Sequence, residues 1–379
     1  MGLMCKARRS KIVWVNSIFF SLAISVSAND VEEHFLDNSL EEILQMPLDM
    51  NTVNIQESHI HKKDEWMLGY RYMYMDMQGL QAGTNRLSSD DILQNYQIAP
   101  THMSMEMHMF SLMYAPTDDI TLMAMLPYKS HRMTMLMKPM NMNNGMGTMN
   151  TGMASSSNMA NSENQSFSTH SEGLGDLKIM ANGVLYRSRW DKHIVSLKGG
   201  LSLPVGSINK RDDTPMMANM VLPYSMQLGS GTTDFLTGVS YTGLSRDWSW
   251  GTQLLGRLHT GRNRNHYRLG DKLDTSIWLS RIWKSWISSS MRFEGEWWQS
   301  IHGSNPDSDA MKMMSPMANA TLTGGSRVNM LLSTELYAPQ GMLKGQHLGI
   351  EVGFPLYQSL KGPQMTTDWT VSMGWQWTF

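Results

Sequence analysis

Residues 368–379 read DWTVSMGWQWTF. Trp369, Val371, Met373, Trp375, Trp377 and Phe379 share one parity, and Asp368, Thr370, Ser372, Gly374, Gln376 and Thr378 share the other. Alternation with a period of two describes a β-strand with one apolar and one polar face. In a soluble sandwich the apolar face would be covered by protein. In a transmembrane barrel it faces lipid, and the polar face lines a wet lumen.

Working back from this strand, eleven further segments of similar character fall at about 65–78, 103–115, 119–137, 173–188, 191–205, 232–244, 247–260, 270–283, 286–298, 325–338 and 346–358. Short connections occur at 115–119, 188–190, 245–247, 284–285 and 338–345. They alternate with long ones at 79–102, 138–172, 206–231 and 299–324, and with shorter members at 261–269 and 359–366. Strict alternation of short and long connections is the pattern of a bacterial barrel with tight periplasmic turns and larger outer loops. The fold class expected is therefore all-β: a transmembrane antiparallel β-barrel of about twelve strands, with ten or fourteen also compatible with the spacing.

The N-terminus points to the same compartment. Lys6, Arg8, Arg9 and Lys11 precede the apolar run IVWVNSIFFSLAISVSA, and Val26, Ser27 and Ala28 supply small residues at a cleavage site. Residues 1–28 read as a signal peptide, 65–379 as the barrel, and the whole as a protein of the Gram-negative outer membrane. Cys5, the one cysteine, lies inside the signal, so the mature chain has no disulfide framework. Removing the signal shifts the formal net charge from −2 to about −6. That acidity argues against a nucleic-acid partner, which would call for a basic face. The partners expected are outer-membrane lipid and the barrel-assembly machinery, the latter engaging the C-terminal strand that ends in Phe379.

Between signal and barrel, residues 29–64 carry NSLEEILQMP. Ser39 and Glu42 have capping-box spacing, Leu40, Ile43 and Leu44 form an apolar stripe, and Pro47 stops the turn. A short amphipathic periplasmic helix is expected here. Plugging the lumen, covering its mouth, touching a periplasmic partner and acting as a spacer all fit it.

Two-faced strands also place charges. In SSSMRFEGEWW, Met291, Phe293 and Trp297 alternate with Arg292, Glu294 and Glu296. A charge facing lipid at the midplane costs about 2–4 kcal/mol, so these three point into the lumen. Glu335, Glu351, Lys178 and Arg257 occupy the polar parity of their own strands and join them. The lumen is then mixed in sign.

The segments SEGLGDLKIMANGVLY (171–186), SLKGGLSLPVGS (196–207), LPYSMQLGSGTTDFLTGVSYTG (222–243) and PLYQSLKGPQ (355–364) resemble the phenol-degradation (MetA-pathway) family of bacterial outer-membrane barrels. The resemblance runs from about residue 65 to the end. It implies an outer-membrane barrel and transport of small molecules, and it supplies no catalytic residues. The methionine content departs from that family's pattern.

Methionine is the unusual feature of this chain, with 38 residues. Met67, Met73, Met75 and Met77 share a parity in the first strand, opposite Leu68, Tyr70, Tyr72 and Tyr74. Met105, Met107, Met109 and Met113 do so in the second, opposite Phe110, Leu112 and Tyr114, with Glu106 and His108 on the aromatic side. Met123 and Met125 continue through Met133, Met135 and Met137 in the third, and the 138–172 loop adds Met140, Met142, Met146, Met149 and Met153 among asparagines and glycines. Three strands thus turn thioethers toward the lumen below a methionine-rich outer loop. Thioethers are soft neutral ligands suited to Cu(I) and Ag(I), and His102, His108, His131 and His170 add imidazole for Cu(II). The function expected is binding or conduction of copper-class ions, with no resident cofactor otherwise. The alternative is a channel for small apolar or aromatic solutes, in which methionine is adaptable filler or an oxidant sink. No serine, histidine and acid stand at a spacing that singles out a catalytic set; Ser168 and His170 are too short of company, and the chain reads as a non-enzyme.

Overall fold

The computed structural model describes residues 60–139 and 164–379. The signal peptide, the Ser39–Pro47 helix and the loop methionines Met140, Met142, Met146, Met149 and Met153 lie outside the described residues.

The strands are β1 (Trp66–Gly83), β2 (Ile98–Thr117), β3 (Ile120–Met137), β4 (Gln165–Leu174), β5 (Leu177–Arg187), β6 (His193–Leu203), β7 (Asp234–Leu244), β8 (Trp248–Leu258), β9 (Lys272–Lys284), β10 (Ile287–Trp298), β11 (Gly325–Tyr337) and β12 (Gln346–Thr378). Each pairs antiparallel with its sequence neighbour, except where two segments share one stave. β4 pairs with the upper half of β3 and β5 with its lower half, Tyr128 lying opposite Leu174 and Met125 opposite Lys178. The break falls at Pro127, which has no N–H to continue the ladder; its carbonyl takes the Gly175 N–H at 2.7 Å. Conversely, β12 is one run that forms two staves. Residues 347–360 pair with β11 and residues 360–378 pair with β1. The ring therefore closes with twelve staves among the described residues, the number the spacing suggested.

Closure is complete at the seam. Trp66 and Phe379 exchange backbone hydrogen bonds of 3.0 and 2.9 Å, and Met67 to Asp76 pair residue by residue with Thr378 to Trp369. The bulges of this seam all fall beyond Asp76, toward the end that carries the long loops.

The expected faces are the observed ones. On β12, Gln376 is 1% exposed and Trp377 is 38% exposed. Leu332, Leu336, Ile277, Leu279, Phe293 and Leu254 are among the apolar side chains on the outer wall, while Ser240, Ser276, Ser280, Ser290, Ser333 and Ser372 are buried inside. At the short-turn end Trp66, Trp248, Trp283, Trp286 and Trp377 are exposed outward, and Trp297, Trp369 and Tyr357 are so near the other end. Two aromatic girdles bounding an apolar band are how a barrel marks its membrane interfaces.

The long connections are structured. That between β1 and β2 contains helix α1 (Ser89–Asn95), opened by a capping box in which Ser88 and Asp91 serve each other's backbone N–H. Ile92 and Leu93 of α1 bury into a cluster with Leu80, Ile98, Ala99, Met103, Met133, Met135, Leu222, Met226, Met317 and Met365. Loops 204–233 and 299–324 meet over the same end: Asn305 N–H donates to the Tyr224 hydroxyl at 3.0 Å, and the Gln97 and Ile98 N–H groups both donate to Met314 O.

The resemblance motifs GLGD, LPVGS and LGSG meet at one carboxylate. Asp176 accepts from Gly206 N–H at 3.0 Å and from Ser230 N–H at 2.7 Å. A Cβ on Gly229 would lie 2.4 Å from Asp176 Oδ1 and 2.6 Å from Gly206 O, so only glycine fits. These motifs clasp the outer ends of three staves.

Outward placement of Phe293 in β10 gives a direct test. Phe293→Arg is expected to lower stability by about 2–4 kcal/mol, whereas Phe293→Leu costs under about 1.5 kcal/mol. Urea unfolding of the barrel from lipid vesicles reads both; equal losses would remove Phe293 from the lipid face.

Candidate functional site

The inner wall has two different arcs. On β1, β2 and β3 the inward parity is held mainly by methionine, and strand register stacks the side chains in rows. Met67, Met113, Met123 and Met180 (on β5) form one row at the short-turn end. They pack with Met109, Met125 and Leu236 as a buried cluster. Toward the outer end, Met73 faces Met107 and then Lys129, Met75 faces Met105 and then His131, and Met77 faces Met103 and then Met133. Met103 and Met133 are sealed at 1% and 0% exposure. Met73, Met75, Met105 and Met107 are half-buried, so the middle of the arc is the part that solutes in the lumen can touch. Met135 and Met137 complete the column beside Pro100 and Ile98.

Of the imidazoles expected near this wall, His131 alone shares its face. His102 lies on the outer parity and holds Asp76 at 2.9 Å, and His108 lies there too, 2.8 Å from the Tyr70 hydroxyl. His170 is likewise turned away, 3.3 Å from Glu172. The burial of Met103, Met109 and Met113 shows that the methionine parity of β2 points inward, and Glu106 and His108 lie on the outward parity with the aromatics. No group of three histidine, aspartate or glutamate side chains converges among the described residues.

The other arc, on β9 to β12, is ionic. Arg292 donates to Glu351 at 2.6 Å and stands 3.9 Å from Glu294. Arg327 donates to Glu296 at 2.5 Å, and Lys272 reaches Asp274 at 3.0 Å and Glu296 at 3.4 Å. Arg327 also donates to Thr367, across to the last stave. Glu335 and Glu351 are buried in the same wall. Lys178 and Arg257 occupy inward positions on β5 and β8, as their parity required, and Lys198 donates to Gln253 at 2.6 Å between them. Lys198 is inward as its alternation with Leu197 and Leu201 predicts, whereas Arg327 and Lys272 escaped the sequence reading although the same parity rule finds them. Trp278 also escaped it: this indole points inward and lies over Gly251, where a Cβ would come within 2.3 Å of the ring. An inward tryptophan cannot be told from a lipid-facing one by composition.

Outside the membrane band, burial in the outer cap pushes the Tyr267 hydroxyl up to about 12, beside Tyr224 at a ring distance of 5.0 Å. At the other end, a hydrogen bond with His61 holds the Glu65 carboxyl below its usual range. His61 is itself buried, and its backbone N–H donates to Thr121 at 3.1 Å.

No family model matches the sequence, and no curated relative matches it. Solved structures do share the architecture. An outer membrane channel of Pseudomonas putida F1 is 12% identical, with 84% of this chain and 97% of that one covered at a TM-score of 0.56. A Pseudomonas aeruginosa FadL homologue is 11% identical over 83% and 90% of the two chains at 0.36. A TodX deletion mutant, a monoaromatic hydrocarbon channel, is 7% identical over 88% and 94% at 0.40. At these identities the first shows the fold alone: this chain is a closed barrel of the Gram-negative outer-membrane type, set in lipid.

The ionic arc generates a stability prediction. Arg292→Met leaves Glu351 and Glu294 without their cation and is expected to cost about 3–5 kcal/mol. Adding Glu351→Gln should restore much of it. Both are read by unfolding from vesicles, and an additive loss would mean the two side chains do not act as a pair.

Proposed function

We propose that this barrel is an outer-membrane channel for small solutes with an apolar or aromatic body. The observation that carries the reading is the division of the inner wall. Half-buried thioethers at Met73, Met75, Met105 and Met107 offer a soft apolar track, and the ionic arc of Arg292, Glu294, Glu296 and Arg327 lies on the other side of the ring. A solute with a ring at one end and a polar group at the other satisfies both at once. Methionine suits such a track because its unbranched, polarizable chain adapts to different shapes and makes favourable contacts with aromatic rings. The word channel also describes the Pseudomonas putida structure that shares this fold.

Conduction of copper-class ions fits the wall less well. Ion transfer down the arc would draw on imidazoles beside the thioethers, and His102 and His108 face the other way. The charged arc is internally paired, so it presents no run of free carboxylates to draw a cation through.

The test is solute flux into proteoliposomes, comparing benzoate or phenol with a sugar of similar size. Replacing Met73, Met75, Met105 and Met107 with serine should lower aromatic flux by on the order of tenfold and leave sugar flux within about twofold, since a hydroxyl removes the apolar contact and not the opening. An unchanged aromatic-to-sugar ratio would overturn the reading.

A further inference from the structure

Within the methionine arc one side chain does not belong to the packing. His131 is 2% exposed, and neither ring nitrogen makes a hydrogen bond. The Met226 backbone carbonyl lies close to it and takes the Ser171 hydroxyl at 2.7 Å. A carbonyl oxygen accepts two hydrogen bonds, so Met226 O can serve one ring nitrogen of His131 and the Ser171 hydroxyl together. The other ring nitrogen stays buried with no polar partner, which is costly and asks what else could satisfy it.

Its surroundings are thioethers. Register places Met105 directly opposite His131 and Met75 directly opposite Met105, so three inward side chains sit side by side on adjacent staves. Facing residues in a sheet have Cβ atoms about 4.5–5.5 Å apart, within the reach of a methionine chain. Met133 is two residues along the same strand and stands opposite Met103. The Met226 sulfur is close by as well, accepting from the Thr169 hydroxyl at 3.3 Å. From this juxtaposition we propose that His131, with Met105 and Met75, forms a binding site for one soft monovalent cation of the Cu(I) and Ag(I) class.

The charge balance selects the ion. All the donors are neutral, and no carboxylate lies in these rows. The nearby Lys129 ammonium donates to Leu228 O at 3.0 Å and adds a positive charge to the neighbourhood, as does the inward Arg71 on β1. A dication would meet this field without compensation: Mg(II) and Ca(II) take oxygen donors, and Zn(II) takes imidazole together with thiolate or carboxylate, not thioether. A monovalent soft ion loses least there and gains most from sulfur and imidazole. Met75 and Met105, half-buried toward the lumen, give it a way in. The site does not depend on which solute the channel passes.

The experiment is titration of the full-length refolded protein with Ag(I) in chloride-free buffer, with silver-edge X-ray absorption recorded at one equivalent. One nitrogen scatterer together with sulfur scatterers is expected. His131→Leu should remove the nitrogen and weaken the first equivalent by about tenfold or more. Met105→Leu, a change of similar volume that keeps the barrel packed, should weaken the first equivalent while the nitrogen stays. Heat-modifiable migration in gels confirms an intact barrel in each case. Sulfur-only coordination in the unaltered protein, or a first equivalent that neither substitution weakens, would overturn the site and leave the solute channel untouched.

Discussion

Hydrocarbon offers no hydrogen bonds, so a chain that crosses it with strands must return its last strand to its first. The pairing of residues 360–378 with β1 is that return, and the rest of the molecule depends on it. Once Met67 lies opposite Thr378, every parity around the ring is fixed. A slip by one residue would turn the methionines of β1 into lipid and Leu68, Tyr70 and Tyr72 into the lumen. At the seam itself the bulges lie beyond Asp76, past ten residues of unbroken pairing, and the break at Pro127 divides the fourth stave.

Closure also produces an interior that is neither solvent nor core. Serines pair across staves there, as Ser196 does with Ser240 and Ser290 with Ser333. The charges form a connected ladder from Lys272 through Glu296 to Arg327 and Thr367. Such a wall is stiff, because moving one member strands the others. The methionine arc has far less wiring. The Thr367 hydroxyl ties Met75 by donating to its sulfur at 3.8 Å, and the other thioethers can shift by rotamer changes alone, so the two halves of one inner surface differ in stiffness as well as in polarity.

Most of the architecture was legible because it rests on local rules. The twelve staves, the alternation of connections and the inward set Lys178, Arg257, Arg292, Glu294, Glu296, Glu335 and Glu351 all follow from period two plus the cost of a charge in lipid. Parity also settled Met67, Met73, Met75 and Met77, where tyrosines on the opposite face decided orientation. Period two alone does not say which face of a strand is inward when both carry polar groups. That is why Glu106 and His108 blurred β2, and why His102 and His108 were grouped with methionines they turn away from. Long-range meetings were equally hidden. Nothing local in GLGD says that Asp176 will hold the N–H groups of Gly206 and Ser230, or that Met226 will arrive over Thr169 from a distant loop.

Composition alone could not separate the uses of methionine, because the residue changes role along a single strand. In the row of Met67, Met113, Met123 and Met180 it fills space at the short-turn end, and leucine of similar volume would serve. At Met73, Met75, Met105 and Met107 the same side chain meets the lumen, where its polarizability and flexibility matter more than its volume. Beside His131 it offers a lone pair next to an imidazole that the packing satisfies at one ring nitrogen at most. A leucine wall would reproduce the first role, part of the second and none of the third. The chain spends methionine even where leucine would suffice, and among the polar side chains on the inward face of β3 Thr121 takes the His61 N–H and Lys129 donates to Leu228 O, while His131 keeps a ring nitrogen with no polar partner. That exception locates the site on the arc more sharply than the methionine count does.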